Sequence, residues 1–104
     1  MENQNNKQIL IEIEKHRNNY EFMLTQKEII DLIIKINIIN NGDFYKRYIK
    51  FLEYKLSLYK QLNALKEEYA RKFEPSNFIN QYIIDAYDSS IKDKEKELRS
   101  NKYK

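Results

Sequence analysis

The chain has 104 residues, 41% hydrophobic and 34% charged, with a formal net charge of +3 and no cysteine. That is one domain's length, with enough apolar side chains for a core beneath a very polar surface. Disulfides, thiolate metal sites and cysteine nucleophiles are excluded, and the most apolar run, Ile29 to Ile39, is interrupted by Asp31, Lys35 and Asn37 and falls well short of the ~20 residues of a membrane span.

Residues 1–6 are polar and are expected to be disordered. They lack the basic start and apolar run of a signal peptide, so an intracellular, cytoplasmic protein is expected. A first helix is predicted from about Lys7 to Glu21 or Phe22. Ile9, Ile13, His16, Tyr20 and Met23 share one face of it at helical spacing. His16 sits one turn after Glu12 on the edge of that face and reads as a boundary residue bonded to the carboxylate.

Thr25 followed three residues on by Glu28 is a capping box, and it stands just ahead of the isoleucine-rich run. A second helix is predicted over about Gln26 to Asn40, apolar nearly all round and therefore expected in the core. A strand is rejected there despite the β-propensity of isoleucine. The run does not alternate, and no second strand-like segment exists to pair with it. Asn40-Asn41-Gly42 supplies residues that tolerate a left-handed helix C-cap.

The longest element is a third helix from about 43 to 73, with Asp43 as N-cap and a stop enforced by Pro75. At 1.5 Å per residue it spans roughly 46 Å. A compact chain of ~100 residues has a radius of gyration of only about 13 Å. The helix must therefore project as an arm, elongate the protein, or be covered by a second copy. Its apolar residues form two stripes. One is Tyr45, Ile49, Leu52, Leu56 and Tyr59. The other is Phe51, Leu58, Leu62, Leu65, Tyr69 and Phe73, and it steps like a coiled-coil seam. Both stripes serve the chain's own core, or one of them faces a partner.

Ser76 or Asn77 is placed to cap a fourth helix from about Phe78. Ile79, Tyr82, Ile83, Ala86 and Tyr87 form its expected buried face, with Ile91 at the edge. The charged tail should fray from about Leu98, leaving 98–104 disordered. The expected architecture is thus all-α, one domain over 1–104. It is a small antiparallel bundle of about four helices, the third long and either protruding or dimer-forming.

No catalytic constellation is visible. One histidine, no cysteine and one glycine leave no phosphate-cradling loop, nucleophile elbow or metal-ligand spacing. No enzymatic activity, cofactor, metal or small-molecule substrate is therefore expected. The leading expectation is a non-enzymatic interaction protein (an accessory subunit, inhibitor or adaptor) docking the long helix on a protein partner or a second copy. Phe44, Tyr48, Phe51 and Leu58 are the candidate contacts, since aromatic residues anchor such interfaces.

The alternative is nucleic-acid binding. The third helix carries the chain's whole positive excess, and Lys46, Arg47, Lys50, Lys55 and Lys60 are its candidate phosphate ligands, interleaved with Tyr45, Tyr48, Tyr54 and Tyr59. Ile and Lys at 15 each, 12 Asn and no valine argue for an AT-rich genome, such as that of a virus or mobile element, so part of that lysine content is expected to reflect codon composition.

Leu24 to Ile29 resembles the opening of a helix-turn-helix, which would make the basic helix after Gly42 the reader. That helix is about twice the usual length, and its predecessor is unusually apolar. Leu58-Tyr59-Lys60, with Phe73 and Tyr82-Ile83 downstream, is similar to the mitochondrial LYR-motif assembly proteins. Lys60 stands where that family has arginine, and no functional residue is carried over.

Overall fold

The computed structural model describes residues 2–39, 44–72 and 81–102, and side chains from Asn6 onward within them. The chain is all-α. Its helices are α1 (Glu2–Arg17), α2 (Gln26–Ile38), α3 (Lys46–Lys72) and α4 (Gln81–Arg99). The expected caps at Asn40 to Asp43, the stop at Pro75 and the cap at Ser76 or Asn77 lie outside the described residues.

α2 begins where its sequence demands. The Thr25 hydroxyl accepts from the Glu28 backbone N–H at 3.2 Å, and the Glu28 carboxylate accepts from the Thr25 N–H at 3.1 Å. That backbone donor holds the Glu28 carboxyl below the ordinary carboxylate range.

α1 differs from expectation at both ends. It starts at Glu2, inside the stretch expected to be disordered, and it stops at Arg17. Tyr20 and Met23 therefore leave the helical face and are exposed, and Phe22 and Leu24 of the connector are buried in their place. Ile13 keeps its expected core position, and His16 Nε2 lies 4.0 Å from Glu12 Oε1.

The two stripes of α3 are divided between two neighbours. Tyr45 and Leu52 join Ile13, Phe22, Leu24, Ile29, Leu32 and Ile36 in one core cluster, with Ile49, Leu56 and Tyr59 packed at its edge. Leu58 and Leu62 meet Leu98 and Ile91 in a second cluster between α3 and α4. Tyr69 crosses Tyr87 edge to face at 5.6 Å farther along the same seam. The pairing of residue 54 with 97, 61 with 94 and 69 with 87 makes α3 and α4 antiparallel. The surplus apolar circumference of α3 is thus taken up inside the chain. The molecule is elongated, 61 × 23 × 18 Å with a radius of gyration of 17.9 Å.

α4 packs in a different register from the expected one. Tyr82 is 83% exposed, and Ile83 and Ala86 are exposed too. The residues turned toward α3 are Ile84, Tyr87, Ile91, Lys94 and Leu98, at alternating steps of three and four. The apolar cluster at the start of the helix suggested the other face. The seam instead follows the sparse set that repeats along the whole helix. Leu98 is buried, so α4 stays helical to Arg99 where fraying was expected.

α2 is likewise less buried than its composition implied. Ile29, Leu32 and Ile36 fill the core, while Ile30, Ile34 and Ile38 turn outward at 49%, 51% and 71% exposure. No described helix is long and apolar enough to cross a membrane.

Candidate functional site

The end of α1, the first half of α3 and the chain after α4 meet in one region. Asn101 Nδ2 donates to the His16 and Asn19 carbonyls at 2.9 and 2.6 Å, so its side chain caps the C-terminus of α1. The Phe22 N–H donates to the Arg99 carbonyl at 2.7 Å, and Glu21 pairs with Ser100 in an antiparallel bridge.

Lys55 completes this arrangement. It was expected among the phosphate ligands, but it is 1% exposed. Its Nζ donates to the Glu97 and Ser100 carbonyls at 2.6 and 2.5 Å, at the C-terminal end of α4. It also lies 5.1 Å from the Phe22 ring centre and 5.0 Å from that of Phe51. Carbonyl oxygens at a helix C-terminus carry partial negative charge, which favours a cation there. Burial acts in the opposite sense and lowers the Lys55 pKa to about 8.

Two open clefts adjoin this point and share Arg47 and Lys102. One, of about 690 Å³, is lined by Arg47, Lys50, Phe51, Tyr54, Glu97 and Lys102, with Lys55 and Ser100 at its wall. The other, of about 980 Å³, is lined by Arg17, Phe44, Tyr45, Arg47, Tyr48 and Lys102 together with Asn101, and no carboxylate is among its lining residues. Arg17 is fixed in place. Its Nη1 donates to Glu14 Oε1 at 2.5 Å, and its guanidinium lies 5.8 and 6.0 Å from the Tyr45 and Tyr48 ring centres. Tyr54 donates to Glu97 across the other cleft.

The expected site residues separate accordingly. Of the protein-contact candidates only Phe44 is on the surface, at 76% exposure. Tyr48, Phe51 and Leu58 are core residues, because α1 and its connector cover the first two and α4 covers the third. Phe51 stacks edge to face on Phe22 at 5.6 Å.

Of the phosphate-ligand candidates, Lys46, Arg47, Lys50 and Lys60 are exposed and Lys55 is internal. Arg47 and Lys50 line the clefts, and Lys46 and Lys60 do not. Arg17 and Lys102 join the cleft from elsewhere in the chain. No local pattern marks either residue, since only the packing of α1 and the C-terminal segment brings them to α3.

Clefts of this volume fall in the range that accepts small organic ligands. With three exposed cations, a half-buried Arg17 paired to Glu14, and aromatic rings at the rim, the chemistry they offer is attraction of an anion carrying flat groups. Among the described residues, no group of three or more histidines and carboxylates is placed to hold a metal ion. Comparison with known proteins gives no relative: no family model, no curated protein and no solved structure matches the chain.

Proposed function

We propose that the chain is a non-enzymatic binding protein whose working surface is the pair of basic, aromatic-rimmed clefts beside the first half of α3, and whose partner is nucleic acid. The observation that carries this reading is the convergence of Arg17, Arg47, Lys50 and Lys102, from three separate parts of the chain, on clefts that also hold Phe44, Tyr45 and Tyr54. Cations neutralise backbone phosphates and release their counterions, and aromatic rings stack on bases. Docking of α3 on a protein is less well supported, because Tyr48, Phe51 and Leu58 are already used in the core.

The test is fluorescence anisotropy with labelled oligonucleotides across a salt series. Affinity is expected to fall steeply with salt. The Arg47→Glu, Lys50→Glu double variant should lose binding while keeping its far-UV circular dichroism, since both residues are exposed. Unchanged binding by that variant sinks the proposal.

A protein partner remains the second reading, moved to α2. Ile30, Ile34 and Ile38 stand one turn apart on its outer face and are all exposed. Light scattering on the isolated chain, with Ile34→Lys as control, tests whether that row holds a second copy. A monomer at every concentration removes that option.

A further inference from the structure

We propose that the nucleic acid these clefts accept is single-stranded, with an unpaired base stacked on Phe44 and the adjoining backbone held by Arg17, Arg47, Lys50 and Lys102. This rests on the nucleic-acid reading above and narrows it.

Three features point to an unpaired strand. Phe44 is a fully apolar ring left 76% exposed at the rim of the larger cleft, with Arg17 and Arg47 lining the same cleft. Its ring crosses that of Tyr45, at 4.9 Å between centres and 83° between planes. A base stacked there removes apolar surface from water and leaves its phosphate among the cations, and stacking of this kind requires a base outside a duplex.

The second feature is the recess. A duplex is read by a helix that enters the major groove, about 12 Å wide, and a bare helix with side chains already fills that width. α3 is clasped by α2 on one side and α4 on the other, and its Arg47 and Lys50 are flanked by Arg17 and Lys102. The cations line a hollow that a single strand can follow and a groove-reading helix cannot present. The same clasp removes α3 as the reader of a helix-turn-helix.

The third feature is spacing. Tyr54 lines the second cleft ten residues after Phe44. At 1.5 Å per residue that is about 15 Å along the axis, or about four nucleotides at the ~3.4 Å rise of stacked bases. A strand laid through both clefts passes one aromatic ring in each.

The experiment uses the full chain with fluorescein-labelled oligo-dT and oligo-rU of about 15 nucleotides, a duplex of about the same length, and poly-glutamate as a competitor without bases. Single strands are expected to bind at least roughly tenfold tighter than duplex. About four phosphate contacts predict a log–log salt slope of about −3. Phe44→Ala, at an exposed position that leaves folding unaffected, is expected to weaken single-strand binding by roughly 5- to 100-fold, the effect of one lost stacking contact, and to leave duplex binding as it was.

Equal affinity for single strand and duplex, with Phe44→Ala silent, overturns the single-strand inference while the broader nucleic-acid reading stands. No binding to any oligonucleotide overturns both. Displacement of the oligonucleotide by poly-glutamate at equal charge concentration overturns both in favour of an acidic protein partner. A preference between the DNA and RNA strands identifies the source and supports the inference either way.

Discussion

Replacing Lys55 by methionine separates two opposed effects that meet in one side chain. Methionine keeps the length and apolar stem of lysine and removes the ammonium. What is lost is the donor to the Glu97 and Ser100 carbonyls, each within 2.6 Å. The Glu97 carbonyl keeps a second donor in the Ser100 N–H at 3.3 Å, so only the Ser100 carbonyl loses its partner, at no more than about 1 to 3 kcal/mol. What is regained is the cost of holding a charge in that place. A pKa of about 8 against the ordinary lysine value of 10.5 corresponds to about 3 kcal/mol, or about 2 after screening by the cleft that Lys55 adjoins. The two terms nearly cancel, and stability near neutral pH should change by less than about 1 kcal/mol.

The pH dependence gives a sharper test, and its sign is fixed by linkage. The folded-state pKa of Lys55 lies below its unfolded value, so between pH 8 and pH 10.5 the unfolded chain binds more protons and stability rises with pH. The neutral amine still has two N–H groups, one for each carbonyl, so deprotonation relieves the buried charge and keeps both hydrogen bonds. Urea unfolding followed by circular dichroism at about pH 7.5 and about pH 9.5 should show wild type gaining about 1 to 2 kcal/mol relative to Lys55→Met. A constant difference between the two proteins across that interval would refute the reasoning, because the carbonyls would then hold the ammonium as firmly as water does.

Other outcomes follow from the same packing. Phe51→Asp should lose at least about 4 kcal/mol and most of its helicity, since it places a carboxylate against Phe22 in the core. An intact dichroism spectrum for that variant would mean that residue 51 faces solvent. Thr25→Ala opens the capping box and should lower stability by about 1 kcal/mol in urea. Tyr59 donates to the Leu24 carbonyl at 2.6 Å and burial raises its pKa. Its contribution is therefore complete below pH 10 and disappears as pH climbs through the raised value, so Tyr59→Phe should flatten the alkaline limb of the stability curve.

Several of these residues could be read directly and others could not. The capping box at Thr25 is a local device, and it sits where local reasoning puts it. The two stripes of α3 were visible because each repeats along one helix. Which neighbour covers each stripe depended on the antiparallel return of α4, whose seam is sparse. Ile84 stands beside the equally apolar Ile83, Lys94 is charged, and Leu98 is embedded in a run of charges. Nothing near residue 55 distinguishes its lysine from Lys50 or Lys60. Its burial is decided by two carbonyls more than forty residues away. The clefts were half legible. Arg47, Lys50 and Tyr54 belong to one helix and Tyr45 stands just ahead of it, so they fall into one pattern, whereas Arg17 and Lys102 arrive there only through tertiary closure.

That closure has a consequence for how the protein comes into being. The C-terminus of α1, finished by the seventeenth residue, receives its capping donor from Asn101. The connector behind it receives its partners from Arg99 and Ser100. During synthesis these carbonyls and amides wait for some eighty further residues to be made. Joining the two segments then requires closing a loop of some eighty residues, the slow kind of contact in an otherwise local helical fold. The cleft shared by Arg17 and Lys102 is therefore complete only when these two distant segments have met.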